Sequence, residues 1–364
     1  MVPTYFLVGT HASRFAAAAN VSLRRHMAHV ALPSLRSITW GHTPKSPTIG
    51  CMQARLSTPE EIAARGGSEI PFLRLPERTS VFAERAARLR ALAAGNAIEG
   101  YLRFIALVAE EQQKLLDHMP AIALPSPATI ARCNEHGMPP LDPRTHERDP
   151  EWRNGLRRLL HGVAERTTGT LRETVARLEA SPDPLYEAQA DKLLRGIRSG
   201  LDLATAPLVG AALQAHFTHL VIALTPSAFP RTDVPTLCPC CGSRPAASIA
   251  RIGAQEGGYR FLHCGLCNAE WHMVRIKCTH CEGTKSISYQ VVDDGTPIEK
   301  KAVKAEVCDE CGTYLKVCDM QRDPMVDPVA DDLATLPLDL LVAETGRQPS
   351  GTNFMLLYGG PTLE

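Results

Sequence analysis

The chain has 364 residues, of which 44% are apolar, and its 39 basic side chains balance its 39 acidic ones. This length suggests roughly two domains, and the apolar fraction supports a sizeable core, which excludes wholesale disorder. The zero net charge argues against a nucleic-acid or anionic-membrane ligand, and no uncharged apolar run reaches the roughly 18 residues of a membrane-spanning helix.

Residues 1–51 form a compositionally distinct leader. They contain no Asp or Glu, and their charged side chains are all basic: Arg14, Arg24, Arg25, Arg36 and Lys45. Such leaders resemble organelle transit peptides, but charge-balanced sequence begins directly after Met52, so we interpret residues 1–51 as a non-native or disordered leader that follows from an upstream start codon. Neither a Sec-type nor a twin-arginine export signal is evident, so we expect the protein in the cytoplasm.

The segment 52–230 is predicted to be an all-α domain. Apolar residues recur there at steps of three and four, which is the period of a helix with one buried face. The pattern predicts four helices, the first broken at Gly95-Asn96: Thr79–Met119, Trp152–Leu178, Tyr186–Ser199 and Leu208–Leu224. The Pro-rich segment 120–150 is predicted as a loop, and no strand pattern interrupts the helical block.

The pattern changes after the prolines near residue 230. Short alternating runs with β-branched and aromatic residues, bounded by Gly, Asp or cysteine pairs, indicate short strands. The spacing becomes helical again from Val326 to Val342, and the residues beyond are predicted as a loose tail. We therefore divide this half into two small strand-containing units at 231–275 and 276–322, followed by a C-terminal helix and tail at 323–364.

Ten of the twelve cysteines fall between Cys238 and Cys318. Eight of them form four Cys-x-x-Cys pairs: Cys238/Cys241, Cys264/Cys267, Cys278/Cys281 and Cys308/Cys311. One such turn presents two thiolates to an ion, and two turns complete a tetrahedral four-sulfur shell, so the chain is predicted to hold two metal ions. Pairing of neighbours, first with second and third with fourth, is favoured because only ten residues separate Cys267 from Cys278, although an interleaved pairing stays open.

Disulfides and dithiol catalysis fit these cysteines less well. A disulfide framework suits secreted domains, whereas no secretion signal is evident. A thioredoxin-like pair needs a βαβ context that the sequence lacks, although a proline follows Cys238. The metal itself stays open, because Cys-Pro-x-Cys-Gly occurs in rubredoxin iron sites and in zinc ribbons, and four thiolates suit either ion.

Two further cysteines and three histidines near the pairs are not assigned as ligands. They are Cys240, Cys318, His263, His272 and His280. Eight thiolates already complete two shells, so the histidines are expected to support the ligands or to lie at the surface. Cys318 is expected to be an ordinary strand residue.

Two polar pairs on predicted helices also have structural interpretations. His216 and His219 lie three apart on an apolar helix, which favours packing or a helix–helix hydrogen bond over metal binding. Asp331-Asp332 is interpreted as solvated surface near a helix start, because neighbouring positions on a helix face different directions. No Ser-His-Asp order, P-loop or dinucleotide fingerprint is evident.

Four stretches of the cysteine-rich half carry a family resemblance. They are Cys238–Cys241 followed by Gly242, Ser243 and Pro245, HCGLCNAEWHMVRIKCTHC at 263–281, CDECGTYLK at 308–316, and an Asp-Pro followed by VADDLATLPLD within 323–339. With them the chain resembles the FdhE family of formate dehydrogenase accessory proteins over residues 55–345. Cys240 and residues 1–51 depart from the family's pattern.

The sequence pattern predicts an α+β fold, in which an all-α helical N-terminal domain is followed by two tandem rubredoxin-like or zinc-ribbon metal-binding domains and a C-terminal helix. The two metal-binding domains are a first metal ribbon at 231–275 and a second metal ribbon at 276–322. The resemblance implies a non-enzymatic factor for the maturation of respiratory formate dehydrogenase, which binds the catalytic subunit of that enzyme in the cytoplasm before export. It further implies two bound iron ions, with zinc as the alternative. The implied metal ligands are Cys238, Cys241, Cys264, Cys267, Cys278, Cys281, Cys308 and Cys311.

Two other functions remain as alternatives. A zinc-ribbon protein that binds nucleic acid would need a basic patch, whereas the basic residues of the ribbons are interleaved with acidic ones. A rubredoxin-like electron-transfer protein would need a redox partner, and no flavin or nicotinamide motif supplies one. We expect neither nucleic-acid binding nor membrane insertion, and the sequence leaves the oligomeric state open.

Overall fold

The structure, a computed structural model, describes residues 70–252 and 258–356. All of them belong to one compact unit that spans Leu56–Tyr358. The leader interpreted at 1–51 lies outside the described residues. So do the first part of the predicted helical domain and the last residues of the predicted tail.

Seven helices form the described part of the N-terminal half: α1 (Val81–Ala93), α2 (Glu99–Asp117), α3 (Pro127–Glu135), α4 (Glu151–Glu165), α5 (Gly169–Glu179), α6 (Asp183–Leu194) and α7 (Ala206–Ile222). The predicted break at Gly95-Asn96 is confirmed between α1 and α2, where Gly95 has a φ of +74°. Within residues 70–252 and 258–356, no helix is both long and apolar enough to cross a bilayer.

Two helix predictions are corrected. The single helix expected over Trp152–Leu178 is divided, since α4 ends at Glu165 and α5 begins at Gly169, whose φ of +59° glycine adopts without strain. The segment 120–150 is not wholly a loop, because it contains α3. Ser126 caps that helix by accepting a hydrogen bond from Thr129 N at 3.1 Å, and a proline fills the first turn.

Helix α7 lies at the centre of the helical half. Every residue from Ala206 to Val221 is buried, as expected for a helix whose sequence is apolar all round rather than along one stripe. It packs against α2, α4 and α6. Its side chains share one core with Phe82 of α1 and Trp152 of α4, and each fully buried Leu or Phe contributes about 1.5–3 kcal/mol relative to exposure.

The strands of the described residues are β1 (Leu73–Arg74), β2 (Pro245–Arg251), β3 (Tyr259–Cys264), β4 (Glu270–His272), β5 (Ile287–Gln290), β6 (Val303–Cys308), β7 (Thr313–Asp319) and β8 (Gln348–Pro349). They form one sheet in the order β1-β4-β3-β2-β7-β6-β5, with β8 beside β7. Short 3-10 helices follow α7 at Pro226–Ala228 and precede β6 at Ile298–Lys300.

Two three-stranded antiparallel ribbons, β2-β3-β4 and β5-β6-β7, make up six of the eight strands of this sheet. The α+β class, with two ribbons after a helical region, is therefore confirmed. Their fusion was not predicted: β2 and β7 pair in parallel, with Ile249 opposite Cys318. The expectation that the helical block contains no strand is wrong at β1, where Leu73 pairs with Trp271 of β4.

The C-terminal region differs from its prediction in two ways. Two helices, α8 (Pro328–Ala334) and α9 (Leu336–Glu344), replace the single helix expected over 326–342. The tail expected to be loose is packed up to residue 356, because Phe354 and Met355 are buried. Tyr101 of α2 donates a hydrogen bond to the Met355 carbonyl oxygen at 2.8 Å.

The interpretation of Asp331-Asp332 as solvated surface is wrong, since these residues are only 2% and 6% exposed. Asp331 accepts hydrogen bonds from Arg88 of α1 at 2.6 and 2.9 Å. Asp332 lies 3.2 Å from Lys316 Nζ of β7 and accepts a hydrogen bond from Asn353 at 2.9 Å. The two carboxylates do face different directions, but α1 and β7 both pack against α8.

Candidate metal centres

Each Cys-x-x-Cys pair lies in the same kind of tight turn, in which the fourth residue after the first cysteine has a positive φ. Those residues are Gly242 (+71°), Asn268 (+58°), Glu282 (+60°) and Gly312 (+69°). In the first turn, Gly242 N donates to the Cys238 carbonyl at 2.8 Å, and Cys238 N donates to the Ser243 carbonyl at 2.9 Å. The turn closes the backbone on itself and leaves both thiols on one side of it.

The first two pairs form one cluster, which we name the inner centre. Its members are Cys238, Cys241, Cys264 and Cys267, whose Sγ atoms all lie within 4.8 Å of one another. The Cys241 and Cys264 sulfurs are 3.4 Å apart, and Cys267 Sγ lies 3.6 Å from Cys238 Sγ and from Cys241 Sγ. The backbone N–H of Leu266 donates to Cys264 Sγ at 3.4 Å. None of the four residues is more than 1% exposed.

The last two pairs form a second cluster, the outer centre. Its members are Cys278, Cys281, Cys308 and Cys311. Cys278 Sγ lies 3.7 Å from Cys311 Sγ, and Cys281 Sγ lies 3.8 Å from Cys308 Sγ. Cys278 and Cys308 are buried, but Cys281 is exposed and Cys311 is only half-buried. The outer centre therefore meets solvent on one side.

The spacing of the sulfurs fits a tetrahedral metal. Metal–sulfur bonds of about 2.3 Å place the sulfurs of a tetrahedral shell about 3.8 Å apart. The five separations given above run from 3.4 to 3.8 Å, and all others within a cluster are below 4.8 Å. Disulfide sulfurs would be about 2.05 Å apart, and the cysteines of the described residues are all free. Each cluster can hold one metal ion, and the pairing favoured from the sequence is the one observed.

Each centre contains one thiol that ionises readily. Burial raises the pKa of Cys238, but hydrogen bonds with neighbouring thiols outweigh it and leave that pKa at about 6. Burial likewise raises the pKa of Cys311, whereas hydrogen bonds from the Thr313 hydroxyl and amide lower it to about 7. Cys311 Sγ and Thr313 Oγ1 are 3.1 Å apart. A bound cation displaces the remaining thiol protons, so metal affinity at both centres rises with pH.

Comparisons with known proteins find one family along the described chain. Three family models match consecutive segments: "FdhE, N-terminal" at 70–233, "FdhE, central domain" at 237–275 and "FdhE, C-terminal domain" at 276–356. The chain belongs to the FdhE family. This confirms the resemblance read from the sequence motifs.

Three proteins illustrate the similarity. Protein FdhE homolog from Pseudomonas aeruginosa is 40% identical over 291 residues, which cover 80% of this chain and 94% of the relative. Protein FdhE from Salmonella arizonae is 35% identical over 312 residues, which cover 85% and 99%. The crystal structure of the FdhE protein from Pseudomonas aeruginosa has a TM-score of 0.70 and 37% identity, and the match covers 80% of this chain and all of that one.

In this FdhE-family chain, hydrogen bonds between buried polar groups connect the inner centre with the helical half. The amide of Asn268 accepts a hydrogen bond from Arg85 Nη2 at 2.9 Å and donates one to Thr218 Oγ1 of α7 at 2.8 Å. Gln214 of α7 donates to the carbonyl oxygen of Gly265 at 2.7 Å. Sequence reasoning missed these residues, because nothing local connects positions on α1 and α7 with a cysteine turn far along the chain.

The unassigned cysteines and histidines lie outside both clusters in the described part of the chain. Cys240 is buried beside the inner centre, and its carbonyl oxygen accepts a hydrogen bond from Leu141 N at 3.0 Å. Cys318 is buried in β7, as expected of a strand residue. His263 lies 3.4 Å from Glu270 Oε1, so its ring faces a buried carboxylate rather than the thiols of either centre.

The two histidines of α7 have separate packing roles. His216 is fully buried and stands edge-on to Phe217, with ring centroids 5.6 Å apart. Burial lowers the pKa of His216 to about 4, so its ring is neutral. His219 Nδ1 lies 3.2 Å from an Arg78 guanidinium nitrogen. Packing, which the sequence favours, describes His216, whereas His219 contacts Arg78 of the segment before α1 and not another helix.

Proposed function

We propose that this chain is a non-enzymatic accessory factor for the maturation of respiratory formate dehydrogenase and that it binds the catalytic subunit of that enzyme in the cytoplasm before export. Membership of the FdhE family supports this function. The observation that carries it is the assembly of two four-thiol clusters from the four cysteine pairs that define the resemblance.

The proposed metal ligands are the eight clustered cysteines, one ion to a centre. The donor set fits because four sulfurs at tetrahedral spacing suit a thiophilic ion. Iron is proposed at both centres, with zinc as the alternative. Metal analysis and an ultraviolet–visible spectrum of protein purified without oxygen separate the two ions, since ferric tetrathiolate absorbs visible light and zinc tetrathiolate does not.

One feature supports a non-enzymatic role, and a second argues against nucleic-acid binding. A metal held by four protein thiolates has no open position for a substrate, which is the arrangement of structural rather than catalytic sites. Two arginines of the ribbons are also paired with glutamates, Arg260 with Glu306 at 2.8 Å and Arg251 with Glu270 at 2.6 Å. These pairs lower the positive charge that the ribbons offer to a nucleic-acid backbone.

The decisive experiment deletes the gene in its host and measures formate dehydrogenase activity together with the transcript of the enzyme. We expect loss of activity with an unchanged transcript, because the factor acts after translation. Complementation with the Cys278→Ser or Cys308→Ser variant should fail, whereas Cys133→Ser, a buried cysteine of α3 outside both centres, should restore activity. Normal activity in the deletion strain would contradict the proposal.

Binding is tested separately by co-purification with the catalytic subunit. We expect the wild type and Cys133→Ser to retain it, and Cys278→Ser to lose it, because an open three-thiolate shell holds its ion weakly. Full retention by Cys278→Ser would place the partner surface away from the outer centre.

A further inference from the structure

We propose that the two centres differ in function. The outer centre exchanges its ion with the solution, and that ion controls the order of the outer ribbon, β5-β6-β7. The inner centre, on the inner ribbon β2-β3-β4, keeps its ion permanently. The inference rests on the proposed cysteine ligands. It concerns the exchange rate and local structure at each centre, neither of which follows from the presence of metal alone.

The first observation is the difference in access to the sulfurs. A chelator removes an ion by bonding to it while the protein thiolates leave one at a time, so at least one metal–sulfur bond must be approached from solvent. Cys281 of the outer centre is exposed and Cys311 is half-buried. The inner cysteines are at most 1% exposed and belong to the main apolar core. Only the outer ion can be reached without opening the fold.

The second observation is what covers the inner centre. Besides the hydrogen bonds of Asn268 and Gln214 to the helical half, two loops close directly on its turns. A Cβ at Gly242 would lie 3.4 Å from Pro139 Cγ, and a Cβ at Gly265 would lie 2.7 Å from the Thr352 carbonyl oxygen. Opening this centre breaks buried polar bonds and core packing together, which places it at the high end of local opening free energies.

The third observation is how little besides the ion supports the outer ribbon. Its own core cluster consists of five buried side chains, Ala305, Val307, Tyr314, Leu338 and Val342, while Leu315 and Cys318 of β7 pack into clusters shared with the rest of the fold. Among the described strands, β5 forms one edge of the sheet and pairs with β6 alone. The turn near Cys308 is held by two backbone bonds, Asp309 N to the Ser286 carbonyl at 3.1 Å and Gln348 N to the Gly312 carbonyl at 3.0 Å, and by an ion pair between Arg347 and Asp309.

Loss of the outer ion should therefore loosen a limited segment. With four thiols no longer held together, the turn at 278–283 loses its main anchor, and β5, which follows it, keeps only its pairing with β6. Strand β7 stays in place, because it also pairs with β2 and packs against α8. The occupied outer centre then presents an ordered surface, and the empty one a mobile surface, while the helical half and the inner ribbon do not change.

The test uses the full chain loaded with two zinc ions and then mixed with excess EDTA, with native mass spectrometry following the bound metal over time. We expect two phases, in which the first ion leaves at least about tenfold faster than the second. Tenfold is the lower end of the 10–100-fold effect that groups around the ligands have on metal affinity. Hydrogen exchange after the first phase should rise in 278–290 and 303–313 and stay unchanged in 238–251 and 259–272.

Two variants that keep all eight thiols assign the phases. Thr313→Val removes the hydroxyl beside Cys311 and should quicken only the fast phase. Asn268→Gly tolerates the positive φ but removes the bonds to Arg85 and Thr218, and should quicken only the slow phase. If the two ions leave in one phase, or if the fast phase responds to Asn268→Gly, this inference is wrong but the assignment of the eight ligands still holds. A chain that takes up no zinc at all would overturn the ligand assignment as well.

Discussion

Arg85 of α1 donates a hydrogen bond to Asn268, the residue that follows the last cysteine of the inner centre, at 2.9 Å. The same guanidinium lies 3.1 Å from Asp327, which caps α8. Only 1% of the Arg85 side chain is exposed. One buried cation therefore connects the first helix, the metal turn and the C-terminal helices.

Replacement of Arg85 tests this connection. Arg85→Met should lower the free energy of unfolding by about 3–5 kcal/mol, because it keeps the apolar volume but removes the only buried cation that the described residues place against the Asp327 carboxylate. The control is Arg103→Met, whose exposed ion pair with Glu99 one turn away should contribute almost nothing to stability because solvent screens it. Urea unfolding measures both. A loss below about 1 kcal/mol for Arg85→Met would show that the connection contributes little to stability.

Glu270 predicts a pH dependence of stability. Burial raises the pKa of Glu270, but His263 and Arg251 outweigh burial and lower the pKa from its ordinary 4.5 to about 2. Because the folded-state pKa is depressed, the stabilisation is present above pH 4.5 and is lost as the pH falls towards 2. It amounts to roughly 3 kcal/mol.

The measurement compares wild type with Glu270→Gln at several pH values. The difference in unfolding free energy between the two proteins should be largest above pH 4.5 and should shrink as the pH approaches 2. Both proteins lose thiolate-bound metal in acid, so the difference isolates the carboxylate. A difference that does not vary with pH would contradict the assignment of charge to Glu270.

Close packing around Gly210 of α7 predicts that a larger side chain there lowers stability. A Cβ there would lie 2.8 Å from Phe354 Cβ, so Gly210→Ala should displace the packed segment around Phe354 and cost about 1–3 kcal/mol of stability. Gly100→Ala on α2 is the matched control, because its Cβ would meet nothing within 4 Å and a helical Gly→Ala change stabilises by up to about 1 kcal/mol. Thermal unfolding of the two variants should shift in opposite directions.

Independence of the two centres is tested by Cys264→Ser. Because the inner and outer ligand sets share no residue, the variant should retain about half of the metal, one ion held by the four outer thiolates. Native mass spectrometry counts the ions, with Cys133→Ser as the control that keeps two. Loss of both ions from Cys264→Ser would mean that the outer centre forms only when the inner one is filled.

Local patterns allowed much of the fold and both clusters to be predicted. The break at Gly95 and the four cysteine turns depend on residues that are neighbours in sequence, so their spacing alone indicates them. Interactions between distant elements could not be predicted in this way. Asp331 binds Arg88, which is 243 positions away, and a helical period indicates which way a side chain points but not what it meets there.

The fusion of the ribbons shows the same limit. Each ribbon closes through strands that follow one another along the chain, which the alternating runs predict. The parallel contact of β2 with β7 joins two strands with four other strands between them along the chain, and neither strand carries a signal for the other. The spacing of the cysteine pairs and strands along the chain indicates two separate units. The shared sheet arises only when the folded chain brings β2 and β7 together.

The parallel pairing of β2 with β7 also sets an order of folding during synthesis. The inner ribbon can close as soon as residues 238–272 have left the ribosome, since its four cysteines and three strands are then present. One side of β2 stays unpaired until residues 313–319 emerge. Throughout that interval the nascent chain exposes the unpaired edge of β2. A truncated chain released at this stage would tend to pair with other chains through that edge.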